Sequence, residues 1–361
     1  MHITDLVVRE LGLTNVTELE PFATINGVTV VELDAAEGHF RVQLVRDSEY
    51  LNVKLEEGSK LAAYYNSLFW HEISTAEKIS IPRAHFYSRF RVSDGNLKHS
   101  VYITKLEQKG SGRSRLGLSE LEQVARQIAT LHAVNSRGVH EQFRTDVEEN
   151  YGNIKKFRQS IQKDVIEIME LALTNQVSPY FMNPSSVLEK VGILTHHLEN
   201  QNHEDEEMNN HQVITHGRLT ADTCRFDDEG KLVEITEWEN IHLGNPVEDL
   251  TNLIVTSADV DVRRKKFMKV FQVYFYTLVD LHPPKYQLSD LKRWFKEFEA
   301  KTVLDGIEPL LLTLSETTDE DLKREVAHRW ETALDDTVDF LTGNYISDDE
   351  HTFFSHKEEE D

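Results

Sequence analysis

The alternation of apolar and polar positions predicts a β-rich beginning of the chain. Four segments have the β-branched or alternating pattern of strands: residues 27–33, 39–45, 85–90 and 100–106. Residues 35–38 separate the first two strands as a turn, and residues 60–69 form a helical pattern between the two pairs. This pattern predicts a small, mainly β lobe over residues 1–107.

The pattern changes after a Gly/Ser/basic linker at residues 109–115. A helix is predicted over residues 118–135, with Ser119 and Glu122 as a capping box and a repeating apolar face made by Leu121, Val124, Ile128 and Leu131. Helical periodicity continues to Asn344, interrupted by one hairpin at residues 224–226 and 232–236. We therefore predict an α+β fold with a larger, mainly helical lobe over residues 108–345 and an acidic tail over residues 346–361.

Charge and cysteine content narrow the classes of partner and compartment. The chain has 63 acidic and 39 basic residues and a net charge of −24, which argues against nucleic acid and anionic membranes as partners. No apolar run is long enough to cross a bilayer. Cys224 is the only cysteine, so an intrachain disulfide is excluded and a reducing, cytoplasmic location is predicted. We expect Cys224 to be a small residue of a strand, not a nucleophile.

Three motifs in the second lobe keep the order and spacing of a kinase-type site. They are HGRLTADT at residues 216–223, ITEW at residues 235–238 and GNPVEDL at residues 244–250. They resemble H-G-D-L-W-x-x-N, I-D-W and G-x-P-x-x-D-L of the CHK kinase-like, or ecdysteroid kinase-like, branch of the aminoglycoside phosphotransferase–choline kinase superfamily. The resemblance covers about residues 20–345. It implies a bilobal protein-kinase-like fold and ATP-dependent phosphorylation of a small-molecule hydroxyl.

The residues that carry the chemistry in that family are replaced here. Arg218 stands where relatives have the Asp that accepts the hydroxyl proton, and a guanidinium is always charged and has no acceptor lone pair. Thr223 replaces the metal-binding Asn, and Glu237 replaces the metal-binding Asp. Asp222 is an alternative source of a carboxylate, although neighbouring side chains of an extended segment point in opposite directions.

The small lobe also departs from the phosphate-binding residues of the family that the chain resembles. The resemblance puts Gln43 in the place of the phosphate-binding Lys and Lys60 in the place of its Glu partner, with Lys54 as an alternative phosphate lysine. The glycine loop at residues 23–29 contains only Gly27, so few positions allow the backbone to approach a phosphate closely.

The remaining motif residues are expected to be structural. His216 and Gly217 would form the turn after the strand, and Trp238 would lie in the core. Pro246 and Asp249 would end the loop and begin the next helix, Asp249 through local hydrogen bonds.

These replacements lead to one main hypothesis and two alternatives. The main hypothesis is a pseudokinase that needs no cofactor and acts by binding a small molecule or a protein. One alternative is an active phosphotransferase using ATP and Mg²⁺, with Glu237 and Thr223 as metal ligands. The other is an adaptor whose cleft is filled by its own side chains.

Overall fold

The computed structural model describes residues 3–25, 28–46, 84–94, 97–106, 110–134, 163–200, 211–236, 240 and 242–343. Several predictions fall outside these residues: the helix at 60–69, the acidic tail, and the roles of Gly27, Lys54, Lys60, Glu237 and Trp238. The side chain of Gln43 is also outside the description, although its backbone is within it.

The first part of the chain forms a five-stranded antiparallel sheet. Its strands are β1 (Thr17–Ile25), β2 (Val28–Ala35), β3 (Gly38–Arg46), β4 (Ala84–Asp94) and β5 (Leu97–Leu106), in the spatial order β1-β2-β3-β5-β4. The four strands predicted from sequence correspond to β2 to β5. Strand β1 and the short helix α1 (Ile3–Leu11) were not predicted.

The two faces of this sheet have different surroundings. One face forms a small apolar core with α1, and its buried side chains include Val31, Leu33, Phe40, Val42, Val101 and Ile103. Because side chains alternate along a strand, Glu32 of β2 and Arg41 of β3 lie on the opposite face. These two residues are paired across the strands. The second face therefore carries charged side chains at its centre.

The second part of the chain is mainly helical, as predicted. Its helices are α2 (Leu118–Val134), α3 (Pro184–Asn200), α4 (Glu248–Ser257), α5 (Val260–Leu281), α6 (Leu288–Asp305), α7 (Ile307–Glu316) and α8 (Glu320–Leu341). The predicted capping box of α2 is wrong, because Ser119 lies inside the helix. The Glu120 carboxylate instead accepts a hydrogen bond from the backbone N–H of Gly117 at 2.8 Å.

Two short antiparallel sheets lie within the helical part. Strand β7 (Cys224–Phe226) pairs with β8 (Leu232–Ile235), which confirms the predicted hairpin. Strand β6 (Val213–Thr215) pairs with β9 (His242–Gly244), a pairing that the sequence did not predict. The loop at residues 216–223 connects β6 to β7 and is held at both ends by these sheets.

The predicted linker is attached to the hairpin. Ser111 and Phe226 exchange two backbone hydrogen bonds, each 2.9 Å long. A side chain at Gly110 would meet Val233 Cγ2 at 2.5 Å, so the linker also packs closely on β8. Within the described part of the chain, no helix combines the length and apolar character needed to cross a membrane.

Candidate functional site

The loop between β6 and β7 turns at a glycine that no other residue can replace without strain. Gly217 has φ of +78°, a conformation that L-residues with a Cβ rarely adopt. An added Cβ would also clash with the carbonyl oxygen of Asn240 and lie 2.8 Å from His242 Nδ1. Both the turn and the close approach of the neighbouring segment therefore require glycine.

Asp249 fixes this turn from a distant helix. Its carboxylate is fully buried and accepts hydrogen bonds from the backbone N–H of His216 at 2.7 Å and of Gly217 at 2.9 Å. The prediction of local hydrogen bonds for Asp249 is wrong, because both donors are more than thirty residues away. Pro246 lies in the turn directly before α4, as predicted. Burial raises the pKa of Asp249 to about 7, although the two backbone donors act to lower it.

His216 is a buried, neutral side chain that joins the loop to the hairpin. Its Nε2 lies 2.7 Å from the carbonyl oxygen of Thr236, and its Nδ1 accepts the backbone N–H of Arg218 at 3.3 Å. Only the tautomer with the proton on Nε2 satisfies both contacts. Burial lowers the pKa of His216 to about 4, and the charge of Arg218 contributes in the same direction.

Because the pKa of His216 is lowered in the folded state, the free energy of unfolding should depend on pH. A variant without this histidine measures that contribution. Its folded-state pKa lies below the ordinary value of 6.5, so the unfolded chain takes up the proton first as pH falls. The contribution of neutral His216 is complete above pH 6.5 and is lost as pH falls toward 4. We expect the difference in unfolding free energy between wild type and His216→Gln to shrink by about 3 kcal/mol over this window. Urea denaturation at a series of pH values measures it.

An exposed histidine provides the control for this experiment. His328 lies on the solvent side of α8, so His328→Gln provides the same substitution at an exposed position as the control. The buried groups Asp249 and His132 titrate in all three proteins and cancel from the comparison. A pH-independent difference for His216→Gln would contradict the assignment of a buried neutral imidazole.

The Thr223 hydroxyl is used to fold the loop. Its Oγ1 donates to the carbonyl oxygen of Thr220 at 2.9 Å and accepts the backbone N–H of the same residue at 3.0 Å. Asp222 also faces Thr220 and accepts its hydroxyl proton. Thr223 is fully buried, so its hydroxyl is turned toward the loop's own backbone. The Thr223 hydroxyl is therefore not arranged as an open ligand for a hydrated magnesium ion.

The other predicted site residues are only partly described. Arg218 lies on the loop immediately after Gly217 with a half-buried side chain. Gln43 lies in β3, where its backbone pairs with Val30 and Tyr102. In the described ranges, no group of three or more His, Cys, Asp and Glu side chains is close enough to hold a metal ion. Glu237 lies outside those ranges.

Sequence reasoning missed a buried ionic cluster between the sheet and the hairpin. The guanidinium of Arg225 in β7 forms a two-point contact with the Glu32 carboxylate in β2, through Nη1 to Oε1 and through Nη2 to Oε2 at 2.7 Å. Arg225 Nη2 also donates to the carbonyl oxygen of Gly110 in the linker. The carboxylate of Glu234 in β8 lies 3.6 Å from Arg225 Nε. A single arginine thus contacts the small lobe, the linker and the hairpin.

A second arginine crosses from the sheet to the hairpin beside the first. Arg41 Nη1 in β3 donates to Thr236 Oγ1 at 3.2 Å, and the same hydroxyl lies 3.3 Å from the carbonyl oxygen of Thr223. Burial favours a raised pKa for Glu32, but hydrogen bonds from His39 and Arg225 outweigh it and hold the pKa at about 2. We refer to Glu32, Arg41, Arg225, Glu234 and Thr236 as the interlobe cluster.

The charged residues of the interlobe cluster can be recognised in the sequence by their apolar neighbours. Glu32, Arg225 and Glu234 each interrupt a strand whose neighbours are apolar, and Arg41 lies between Phe40 and Val42. A charged residue in a buried strand requires a partner. Opposite charges occur in both strand pairs, with Glu32 opposite Arg41 and Arg225 opposite Glu234. The pattern indicates paired charges, but it does not reveal that the two pairs meet.

Together, the five-stranded sheet, the helical lobe and the loop held between two short sheets define the bilobal fold of kinase-like small-molecule phosphotransferases. Residues 108–284 match the model of the ecdysteroid kinase-like family, which confirms the resemblance seen in the motifs. The sequence matches none of the curated proteins.

Solved structures agree with the fold. An ethanolamine kinase of Plasmodium vivax has 11% sequence identity and a TM-score of 0.51, with 95% of this chain and 88% of that chain covered. A thermostable mutant of the aminoglycoside phosphotransferase APH(4)-Ia in its apo form has 13% identity and a TM-score of 0.50, with 92% and 98% covered. At such low identity these similarities establish the architecture alone.

Proposed function

We propose that this protein is a pseudokinase of the small-molecule kinase type, which has kept the fold and lost phosphoryl transfer. The observation that carries the proposal is Arg218, a permanent cation on the loop position that holds the catalytic Asp in relatives. Asp249, Gly217 and His216 hold this loop in a defined shape, so the arginine belongs to an ordered loop.

The chemistry of the loop supports inactivity. Phosphoryl transfer needs a group that orients the attacking hydroxyl and accepts its proton, and a guanidinium accepts no proton. General base catalysis contributes about 10²- to 10⁴-fold to the rate. The loss of this group alone therefore removes most of the expected activity.

The metal and nucleotide requirements of the family are also poorly met. The Thr223 hydroxyl, which stands in the metal-ligand position, is bonded to the backbone of Thr220 on both its donor and its acceptor side. The space between the sheet and the hairpin contains the buried side chains of Arg41 and Arg225. Arginine can bind phosphate, but the Arg225 guanidinium is already engaged by Glu32 and by the Gly110 carbonyl. Arg41 donates to Thr236. This arrangement does not fit a site for Mg²⁺-bound ATP. The function we propose is binding, to a small molecule or to a protein.

A direct assay tests this proposal. Purified wild type is incubated with ATP and Mg²⁺ together with ethanolamine, choline, an aminoglycoside or a steroid alcohol, the acceptor classes suggested by the matched family and structures. We expect no transfer of the γ-phosphoryl group above the level of a reaction without protein. Arg218→Ala should give the same background, because no catalysis remains to be lost.

The matched variant separates true activity from a contaminant. Phosphorylation by the wild type that disappears in Arg218→Ala would overturn the proposal, because it would make Arg218 part of a working site. If both proteins show equal phosphorylation and further purification removes it, the activity comes from a contaminating kinase. The purified protein then shows no transfer above the reaction without protein, as expected.

A further inference from the structure

The interlobe cluster lies where a kinase fold binds its nucleotide. In such folds the phosphates lie between the glycine loop and β3 on one side and the catalytic loop on the other, near the metal-binding residues. Arg41 precedes Gln43 by two positions in β3 and shares its face of the sheet. Its partner Thr236 directly precedes Glu237, and Arg225 follows Thr223 by two positions. Residues of the cluster are therefore close neighbours along the chain of the three positions that the resemblance assigns to phosphate and metal binding.

The centre of the cluster is buried, whereas the Glu32 side chain at its edge is 22% exposed. The side chains of Arg225 and Glu234 are 3% and 1% exposed, and Arg41 is 5% exposed as a residue. Two positive and two negative side chains give the cluster no net charge. A nucleotide entering here would have to separate Arg225 from Glu32 and would leave the Glu234 carboxylate buried beside its phosphates, which is strongly unfavourable.

The linker is fixed by the same residues. Arg225 holds the Gly110 carbonyl, and the next residue along the linker, Ser111, is bonded to Phe226 through both backbone groups. Opening of the lobes would thus require the loss of the contact between Arg225 and Glu32, while Gly110 and Ser111 keep the linker on the hairpin. Helix α7 of the large lobe also lies against β1, which adds a second connection between the lobes.

We propose that the interlobe cluster closes the nucleotide cleft from within and locks the two lobes together. This inference rests on the proposed pseudokinase function and deepens it: the cleft is not a nucleotide-binding site, and the lobes keep one relative arrangement. The binding function then belongs to surfaces outside the cleft.

A thiol placed inside the cluster tests the lock. Thr236 is 4% exposed and similar in volume to cysteine, so Thr236→Cys introduces a reporter at the centre of the closed cleft. Cys224 is the only natural cysteine, and its side chain lies in the core of the large lobe. It serves as an internal reference for unfolding of the hairpin. Both thiols are followed by peptide mass spectrometry during labelling with iodoacetamide in native buffer.

The lock predicts a specific pattern of labelling rates. Thr236→Cys removes the hydroxyl that accepts Arg41 Nη1 but keeps the contact between Arg225 and Glu32, so the introduced thiol should still react as slowly as Cys224. Addition of Glu32→Gln should accelerate the introduced thiol by about tenfold or more while Cys224 stays slow, because the Arg225 contact with β2 across the cleft is weakened. Addition of Glu37→Gln, the same change on the exposed β2–β3 turn, should leave the rate within about twofold of the parent. ATP with Mg²⁺ should not slow labelling in any of these proteins.

Two outcomes would overturn the lock. One is rapid labelling of the introduced thiol without Glu32→Gln, at the rate of an exposed cysteine. The other is an equal labelling rate of the introduced thiol after addition of Glu32→Gln and after addition of Glu37→Gln. If Thr236→Cys fails to fold, hydrogen exchange at the Ser111 and Phe226 amides tests the lock instead. We expect these amides to be protected in wild type and to exchange faster in Glu32→Gln.

This experiment is independent of the activity assay. It contains no acceptor and is read out without nucleotide turnover, so an open cleft contradicts the lock without showing that the protein is active. Phosphoryl transfer by the wild type would contradict the pseudokinase proposal whatever the labelling rates are.

Discussion

Gly217→Ala is expected to lower the free energy of unfolding by about 3 kcal/mol or more. The alanine would be held at φ of +78°, and its methyl group would collide with the backbone carbonyl of Asn240. A backbone atom cannot move aside as a flexible side chain can, so either the loop or the segment before β9 must shift. Such a shift would also weaken the hydrogen bonds to Asp249. Chemical denaturation monitored by circular dichroism measures the loss.

Gly230 provides a matched control for this prediction. It has φ of +77°, almost the same as Gly217, but a Cβ added there meets no atom within 4 Å. Gly230→Ala should therefore show only the conformational penalty of a left-handed residue, about 1–2 kcal/mol. Equal losses for the two variants would mean that the close approach of Asn240 does not restrict the loop.

Arg225→Met is expected to destabilise the protein by about 3–5 kcal/mol. Methionine keeps much of the side-chain volume but removes the charge that compensates Glu32 and the almost fully buried Glu234. It also leaves the Gly110 carbonyl without its donor from Arg225. A buried carboxylate that loses its counter-charge pays nearly its full desolvation penalty. The midpoint of urea unfolding gives the measurement.

The comparison variant is Lys190→Met. Lys190 Nζ contacts Asp335 Oδ1 at 2.6 Å, but both side chains remain about a quarter to a third exposed. Water can replace the lost partner there, so we expect a loss of about 1 kcal/mol or less. If Arg225→Met were no more destabilising than Lys190→Met, the interlobe cluster would not be the tight contact that its burial indicates.

The Gly217 and Arg225 variants probe two features of the same region, the loop after β6 and the contact between the lobes. The loop around Gly217 shows that the catalytic-loop architecture is maintained by glycine geometry and by a buried carboxylate. The contacts of Arg225 connect the lobes across the region that would receive a nucleotide. A well-built loop with Arg218 in the place of the catalytic Asp, together with charged side chains between the lobes, supports the proposal of a scaffold that binds through its outer surface.

Much of the fold could be predicted from local patterns. Strands β2 to β5, the hairpin of β7 and β8 and helix α2 follow from apolar periodicity and turn residues, which act over a few neighbouring positions. Strand β1 and helix α1 were missed. The pairing of β6 with β9 was missed too, because short strands give little periodic signal and their partner is almost thirty residues away.

The sequence could nominate candidate site residues, but it could not give their contacts. The motif spacing pointed to Arg218, Thr223 and Asp249, and the local role expected for Asp249 was wrong because its partners come from another segment. The interlobe cluster was missed altogether. Hydrogen bonds between β2 and β7 join residues nearly two hundred positions apart, and no local pattern records such a meeting.

The sequence alone determined the strand and helix patterning, the kinase-like motif order and the presence of Arg218 at the motif position that holds Asp in the family it resembles, because each depends on residue type and short spacing. Only the tertiary structure decided that Asp249 holds the loop and that Glu32 and Arg225 meet across the lobes. Those contacts form where distant segments bury charges against each other, and burial is a property of the folded chain as a whole.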